Sequence, residues 1–267
     1  MPHRLNPLFL ATVAVAGILT AASATGDDLR IAVATSVDDS GLLEKLRAAY
    51  QPDCKCTLDA VAAGSGPALE MLRRGDVDAA ITHAPDLEKQ AVADGAASGR
   101  FEFMANDFIV VGPQDDPAGI SDEDLAGALA AIARVQVRFI SRSDNSGTHR
   151  AEIKLWDQIG IEFESTPDWY LQSGLGMARS LLLADELNAY TISDSATFAV
   201  LAERRQLHII QLSESRKQLG NRYSIVTAAA AGKAAGRFAL WLQSRQAQQT
   251  ISQHRLSGTA LFTAPAP

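Results

Sequence analysis

From Leu29 onward, short apolar runs rich in alanine and β-branched residues alternate with loops of serine, threonine and glycine, and each loop opens a helical pattern. This alternation leaves few folds open. Leu29 to Ala34 leads through TSVDDSG to a helix over Leu42 to Tyr50, with Ser40 as its expected cap. Thr57 to Ala62 leads through AGSGP to a helix ending at Arg74; Val135 to Ile140 leads through SRSDNSGTH to a helix over Thr148 to Ile159. Ala189 to Ile192 leads through Ser193-Asp194-Ser195 to Ala196–Arg204. Runs this short, bounded by turn residues, read as buried strands, and a strand followed by a helix returns to a parallel neighbour. The spacing therefore predicts an α/β chain with a mostly parallel sheet flanked by helices in each of two lobes. A further strand is expected over Asn106 to Gly112, broken by Pro113 and Pro117 where the chain first crosses between lobes. A helix capped by Ser121 is expected to run to Ala133, and one closing helix to cover Arg237 to Arg255.

Residues 1–24 read as a secretory signal: Arg4 is the only charge, Leu8 to Leu19 form a short apolar run, and Ala22-Ser23-Ala24 has the small-residue spacing of a cleavage site. An uncleaved anchor is the weaker reading, because Thr12 and Gly17 interrupt the run. No later stretch approaches the roughly 20 apolar residues of a membrane span. The chain is thus expected to be exported and periplasmic. Its net charge of −7, more negative once Arg4 is removed, argues against nucleic acid, which selects a basic face. Cys54 and Cys56, the only cysteines, read as a local disulfide or two thiols, although an extended chain places residues at this separation poorly for a bridge.

In parallel α/β sheets, ligands bind where strand C-termini meet helix N-termini. The hydroxyl-rich loops all fall there. SRSDNSGTH offers the Arg142 guanidinium, the Ser146 and Thr148 hydroxyls, and Gly147, whose lack of a side chain admits backbone N–H groups to a ligand. Asp144 is placed to orient Arg142, since a carboxylate facing an ionised anion is repelled. Thr35 and Ser36 follow the first strand, and Ser65 lies between Gly64 and Gly66 in a turn able to converge amides on an anion. Together Thr35, Ser36, Ser65, Arg142, Ser146, Gly147 and Thr148 form the expected oxyanion site. No catalytic residue, cofactor or metal site is assigned. There is no GxSxG elbow, and the five histidines at 3, 83, 149, 208 and 254 lack metal-binding spacing.

Several segments, in order, resemble the tungstate-binding proteins of bacterial ABC importers, within the type II periplasmic-binding-protein fold. ATSVDDSGLL resembles their TTTS…SGLL opening, AAGSGPAL their VGTGxAL loop, and ITHAP their VHAP turn. FISRSDNSGTH is similar to FVSRGDDSGTH, WYLQSGLGM to WYxxxGQGM, and AYTISD to AYTLTD. The chain departs from that pattern at Ala34, where a hydroxyl is usual, and at Ser195, where arginine is common. The resemblance implies a monomer of two lobes that closes over tungstate or molybdate and delivers it to an inner-membrane ABC permease. It also implies lobe I over residues 25–111 and 213–267, and lobe II over 112–212. Phosphate is the nearest rival ligand, because phosphate-binding proteins of this fold carry a similar loop. It retains a proton near neutral pH and benefits from a carboxylate acceptor, which the GSGPAL loop does not offer, leaving Asp38 or Asp39 as the carboxylates able to swing in. A secreted hydrolase of phosphate or sulfate esters and a sensory binding module are the alternatives of other classes.

Overall fold

The computed structural model describes residues 28–162, 165–214 and 220–264. The assigned signal segment lies outside them, and among the described residues no helix is long and apolar enough to cross a membrane. The chain opens with β1 (Leu29–Ala34), α1 (Thr35–Asp39), α2 (Leu42–Cys54), β2 (Leu58–Ala63), α3 (Ser65–Arg74), β3 (Ala79–Thr82) and α4 (Pro85–Ala93). The long strand β4 (Ala97–Gly112) leads to α5 (Leu125–Val135), β5 (Phe139–Ser141), α6 (Gly147–Gln158), β6 (Tyr170–Gln172), α7 (Met177–Leu187), β7 (Tyr190–Asp194), α8 (Ser195–Arg205) and β8 (Ile210–Glu214). Then β9 (Gly220–Ala228) returns to α9 (Lys233–Leu242), α10 (Arg245–Ser252) and a two-stranded ribbon of β10 (Arg255–Leu256) and β11 (Thr259–Ala260).

Strand order is β2-β1-β3-β9-β4-β7-β5-β6, with β8 also on β4. The outer strands pair in parallel: β2, β1 and β3 on one side, and β6, β5 and β7 on the other. Antiparallel pairing is confined to the middle, where β4 and β9 run between the two groups. From Ala97 to Asp107 β4 pairs with β9; from Phe108 it pairs with β7 and, from Ile109, with β8. The partner change divides the sheet into two lobes joined by one continuous strand. Each lobe has its own core. Ile31, Val33, Leu46, Phe103, Tyr223 and Phe238 pack in the first, and Phe108, Leu129, Phe139, Trp156 and Tyr190 in the second. Burial of each large apolar side chain contributes about 1.5–3 kcal/mol.

Several expectations are corrected. Residues 35–39 form a short helix rather than a loop, because Ser36 and Val37 turn inward and are buried. Ser40 does not cap α2: its hydroxyl donates to the Val37 carbonyl at 3.1 Å, and Gly41 is the N-cap at φ 77° with no side-chain hydrogen bond. The strand expected from Asn106 begins at Ala97, and its polar first half is accommodated because Arg100 pairs with the buried Glu88 at 2.7 Å and with Glu102. Asp124, not Ser121, caps α5 by accepting the Gly127 N–H at 2.9 Å; Ser121 is held by Asp116 instead. That helix runs on to Val135, leaving only three residues for β5. The closing helix is two helices, because Ser244 caps a new one at Arg245. Cys54 and Cys56 are disulfide-bonded with Cα atoms 5.1 Å apart. Lys55 between them is left-handed at φ 50°, so the chain there is turned rather than extended.

Candidate functional site

Strands β1, β2, β5, β6 and β7 each end at a helix start, so the N-termini of α1, α3, α6, α7 and α8 gather along the seam between the lobes. The lobes are in contact there. A Cβ on Gly66 would lie 2.5 Å from Asn145 Nδ2, and one on Gly147 would lie 2.6 Å from the His83 carbonyl oxygen and 2.5 Å from its Nδ1. The glycines at these two positions therefore let the α3 turn and the β3–α4 turn of one lobe meet the Arg142 loop of the other.

Arg142 is only 2% exposed. Its Nη2 and Nε donate to Asp144 Oδ2 at 2.6 and 3.2 Å, and its Nη1 reaches Thr148 Oγ1 at 3.5 Å. Asp144 Oδ1 also accepts the Ser146 N–H at 3.1 Å, so one carboxylate fixes both the guanidinium and the turn. Ser143 and Asn145 adopt left-handed φ of 47° and 57°, which folds the loop tightly onto the start of α6. Ser146 caps that helix by accepting the His149 N–H at 3.3 Å, and Thr148 is buried in its first turn.

Behind this loop lies a buried carboxyl. Glu152 accepts from Tyr170 at 2.6 Å, Ser141 at 3.0 Å and Trp156 at 3.2 Å, with burial pushing it up to about 7. Through Ser141, the last residue of β5, it anchors the strand end that carries Arg142.

In the first lobe, Ser65 is fully buried and accepts the His83 N–H at 3.1 Å. Ser36 bonds the Tyr223 hydroxyl at 2.8 Å, and Thr35 is half-buried at the start of α1. The structure thus places Ser65, Arg142, Ser146, Gly147 and Thr148 in one contiguous seam, with Ser36 joined to it through Tyr223.

Sequence reasoning missed the groups that link the two halves. Asn221 Nδ2 donates to Tyr223 at 3.0 Å and to Asn106 Oδ1 at 2.7 Å, and Asn106 Nδ2 donates to Asp194 Oδ1 at 3.1 Å. His83 Nδ1 meets Asn221 Oδ1 at 2.7 Å, and the ring stacks on Tyr223 at 4.9 Å. Burial lowers the His83 pKa to about 4, so the ring is neutral and Nδ1–H donates to that oxygen. Asn106 and Asn221 lie opposite each other on β4 and β9, in the middle of the sheet. Asn106 and Asn221 inside apolar strands were the available signal, since a buried amide needs partners.

A second group enters the seam from α1. Asp39, at the end of α1, is half-buried and lies within electrostatic reach of Arg142 and Asp194. Burial, then Asp194 and Asp38, push it up to about 6. Asp194 is itself fully buried and raised by burial, and its Oδ2 has no hydrogen-bond partner among the described residues. The seam therefore combines one guanidinium with helix-start donors and with the carboxyls of Asp39, Asp144 and Asp194. A separate cavity of about 480 Å³, lined by His83, Asp86, Phe108, Arg150 and Arg222 among others, touches the expected site only at Gly147.

Comparison with known proteins places the chain among similar folds. A profile described as a PBP superfamily domain matches residues 19–246. The tungstate-binding protein TupA of Peptoclostridium acidaminophilum is 36% identical over 87% of this chain and 84% of its own length. A solved structure of the tungstate-binding protein TupA from Desulfovibrio alaskensis G20 matches with TM-score 0.76 at 37% identity, covering 90% of this chain and 99% of that one. The tungstate ABC transporter structure from Geobacter sulfurreducens matches with TM-score 0.75 at 33% identity, covering 85% and 98%.

Proposed function

The chain belongs to the PBP superfamily and, within it, to the family of the tungstate-binding TupA proteins, and on that footing we propose that it captures tungstate in the periplasm for delivery to the membrane permease of an ABC importer. The relatives named above are binding and transport proteins rather than enzymes. The observation that carries the reading is Arg142: a buried guanidinium, held by Asp144 at the mouth of α6, in a seam contacted by both lobes.

Anion oxygens are assigned to Thr35, Ser36, Ser65, Arg142, Ser146, Gly147 and Thr148. Supporting this, the oxygens of Ser65 and Ser146 already accept backbone N–H groups, so their own O–H protons point elsewhere. Helix starts at α3 and α6 add amide dipoles, which favour a dianion most where water is excluded. Lobe I is assigned to residues 25–111 and 213–267 and lobe II to 112–212, working as a monomer that closes by hinge motion on β4 and β9. The change of β4 from β9 to β7 at Phe108, shortly before the first boundary, supports that hinge.

A second reading, hydrogen phosphate, is favoured by the Asp39 carboxyl, which would suit a protonated anion as acceptor. Calorimetric titration with tungstate, molybdate, phosphate and sulfate decides between them. Tungstate is expected to bind one per chain and phosphate only weakly. Arg142→Ala is expected to lose most of the affinity, since charge-assisted hydrogen bonds contribute about 1.5–3 kcal/mol each, while circular dichroism remains native. Retained tungstate affinity in that variant overturns the site assignment.

A further inference from the structure

The cavity of about 480 Å³ beside the seam has walls from both lobes. His83, Ala84 and Pro85 come from the β3–α4 turn of the first lobe, Phe108 from β4, and Ala151 from α6 of the second. Its volume is that of a small-molecule site, and these side chains make its body apolar. The His83 and Phe108 rings, with centroids 6.3 Å apart, give it an aromatic wall.

One face of α6 lines the same space with Arg150, Lys154 and Gln158, spaced i, i+4 and i+8. Neither cation suits the helix that carries it. Arg150, fourth in α6, closes the first turn, where the helix start is already positive, and Lys154 repeats its charge four residues on. Local choices that oppose their own element are expected at functional positions. Lys154 is answered from the other lobe by an ion pair with Asp86 of α4, and Arg222 on β9 pairs with Glu102 at 3.2 Å. The Lys154 and Arg222 side chains are more than half exposed, which sets both pairs towards the mouth. Arg150 lies deeper. Its Nε is buried with no hydrogen-bond partner among the described residues, and Asp86, although within electrostatic reach, gives its hydrogen bond to Lys154. The wall therefore sets three cations against two acids, both already committed, in a chain whose net charge is −7.

We propose that this cavity is a second ligand site, for a small carboxylate with an apolar body: the apolar part lies against Phe108 and His83, and the carboxylate pairs with the Arg150 guanidinium. A bare oxyanion has no apolar surface to bury there, which separates this ligand class from that of the seam. The two sites are coupled. Gly147 belongs to the Arg142 loop and also lines the cavity, whose walls meet only when the lobes do. A carboxylate held there favours the same closed form as tungstate, so each ligand tightens the other by the same factor. The site itself goes beyond the tungstate reading, and only this coupling rests on it.

Sodium benzoate is the probe, titrated calorimetrically into the full protein with and without saturating sodium tungstate. The parent is expected to bind one benzoate per chain, more tightly with tungstate present. Arg150→Gln should weaken benzoate about 10- to 150-fold, the fold-change of one charge-assisted hydrogen bond. That variant should melt no lower than the parent, because a cation leaves the helix start. Benzoate that binds Arg150→Gln as it binds the parent overturns the proposal, and so does a parent that binds none. Benzoate that displaces tungstate also overturns it, by placing the carboxylate at Arg142. A second tungstate per chain, lost in Arg150→Gln, would make the cavity an oxyanion site instead. Failure to bind tungstate, with Arg150-dependent benzoate binding intact, refutes the proposed function and supports the cavity site.

Discussion

Closure of the lobes against each other can be tested by one methyl group. Gly147→Ala keeps the backbone N–H at the start of α6, so any ligand hydrogen bond from that amide is preserved. Its Cβ would lie 2.5 Å from His83 Nδ1, 2.6 Å from Cε1 and 2.6 Å from the His83 carbonyl oxygen. Non-bonded heavy atoms prefer roughly 3.5–4.0 Å, so relief needs a displacement of nearly an ångström. His83 has little freedom to give way. Its ring is bonded to Asn221 at 2.7 Å and stacked on Tyr223, and its N–H is held by Ser65. The remaining relief is to part the lobes, and overpacking of this kind costs about 1–3 kcal/mol. Because the cost falls on the closed form, tungstate affinity should drop about 5- to 150-fold. Calorimetry measures the affinity, and small-angle scattering should give a larger radius of gyration with tungstate present than for the parent. Gly236→Ala is the control: its Cβ would meet nothing within 4 Å in α9, so it should raise the melting temperature slightly and leave affinity alone. Parent-like affinity in Gly147→Ala would refute the view that these two turns meet in the ligand-binding state.

Two further predictions concern buried titratable groups. Burial holds His83 at about 4, below its ordinary 6.5, so the unfolded chain takes the proton first as pH falls. Its contribution is whole above pH 6.5 and is lost towards pH 4, by about 3 kcal/mol; His83→Gln should flatten that part of the stability curve, and an unchanged acid limb in chemical denaturation contradicts it. Glu152 has the opposite sign: raised to about 7, it favours the fold below its unfolded pKa and loses that contribution as pH rises through 7. Glu152→Gln should therefore gain stability relative to the parent above pH 7, by up to about 3 kcal/mol, and a parallel melting-temperature curve across pH 5 to 8 argues against it.

Much of the architecture was legible because local signals and tertiary structure agree in the βα units. The runs at Leu29, Ala79 and Ala189 are short and apolar because those strands are covered on both faces, and the residues after them are hydroxyls or glycines because helices begin there. Asp144 beside Arg142 was legible for a similar reason, being a contact two residues apart. The misreadings share the converse cause. The first half of β4 carries Arg100 and Glu102, whose polarity hides a strand until Glu88, distant in sequence, is seen to neutralise it. The link from His83 through Asn221 and Asn106 to Asp194 joins residues 138, 115 and 88 positions apart, which no spacing rule detects.

The central claim is that the seam around Arg142 binds tungstate as a dianion. Its most direct test is a competition titration of the purified protein, with tungstate in the cell and phosphate and sulfate in excess. One tungstate per chain is expected, retained against both competitors. Displacement of tungstate by phosphate at comparable concentration would contradict it and return the site to the phosphate reading.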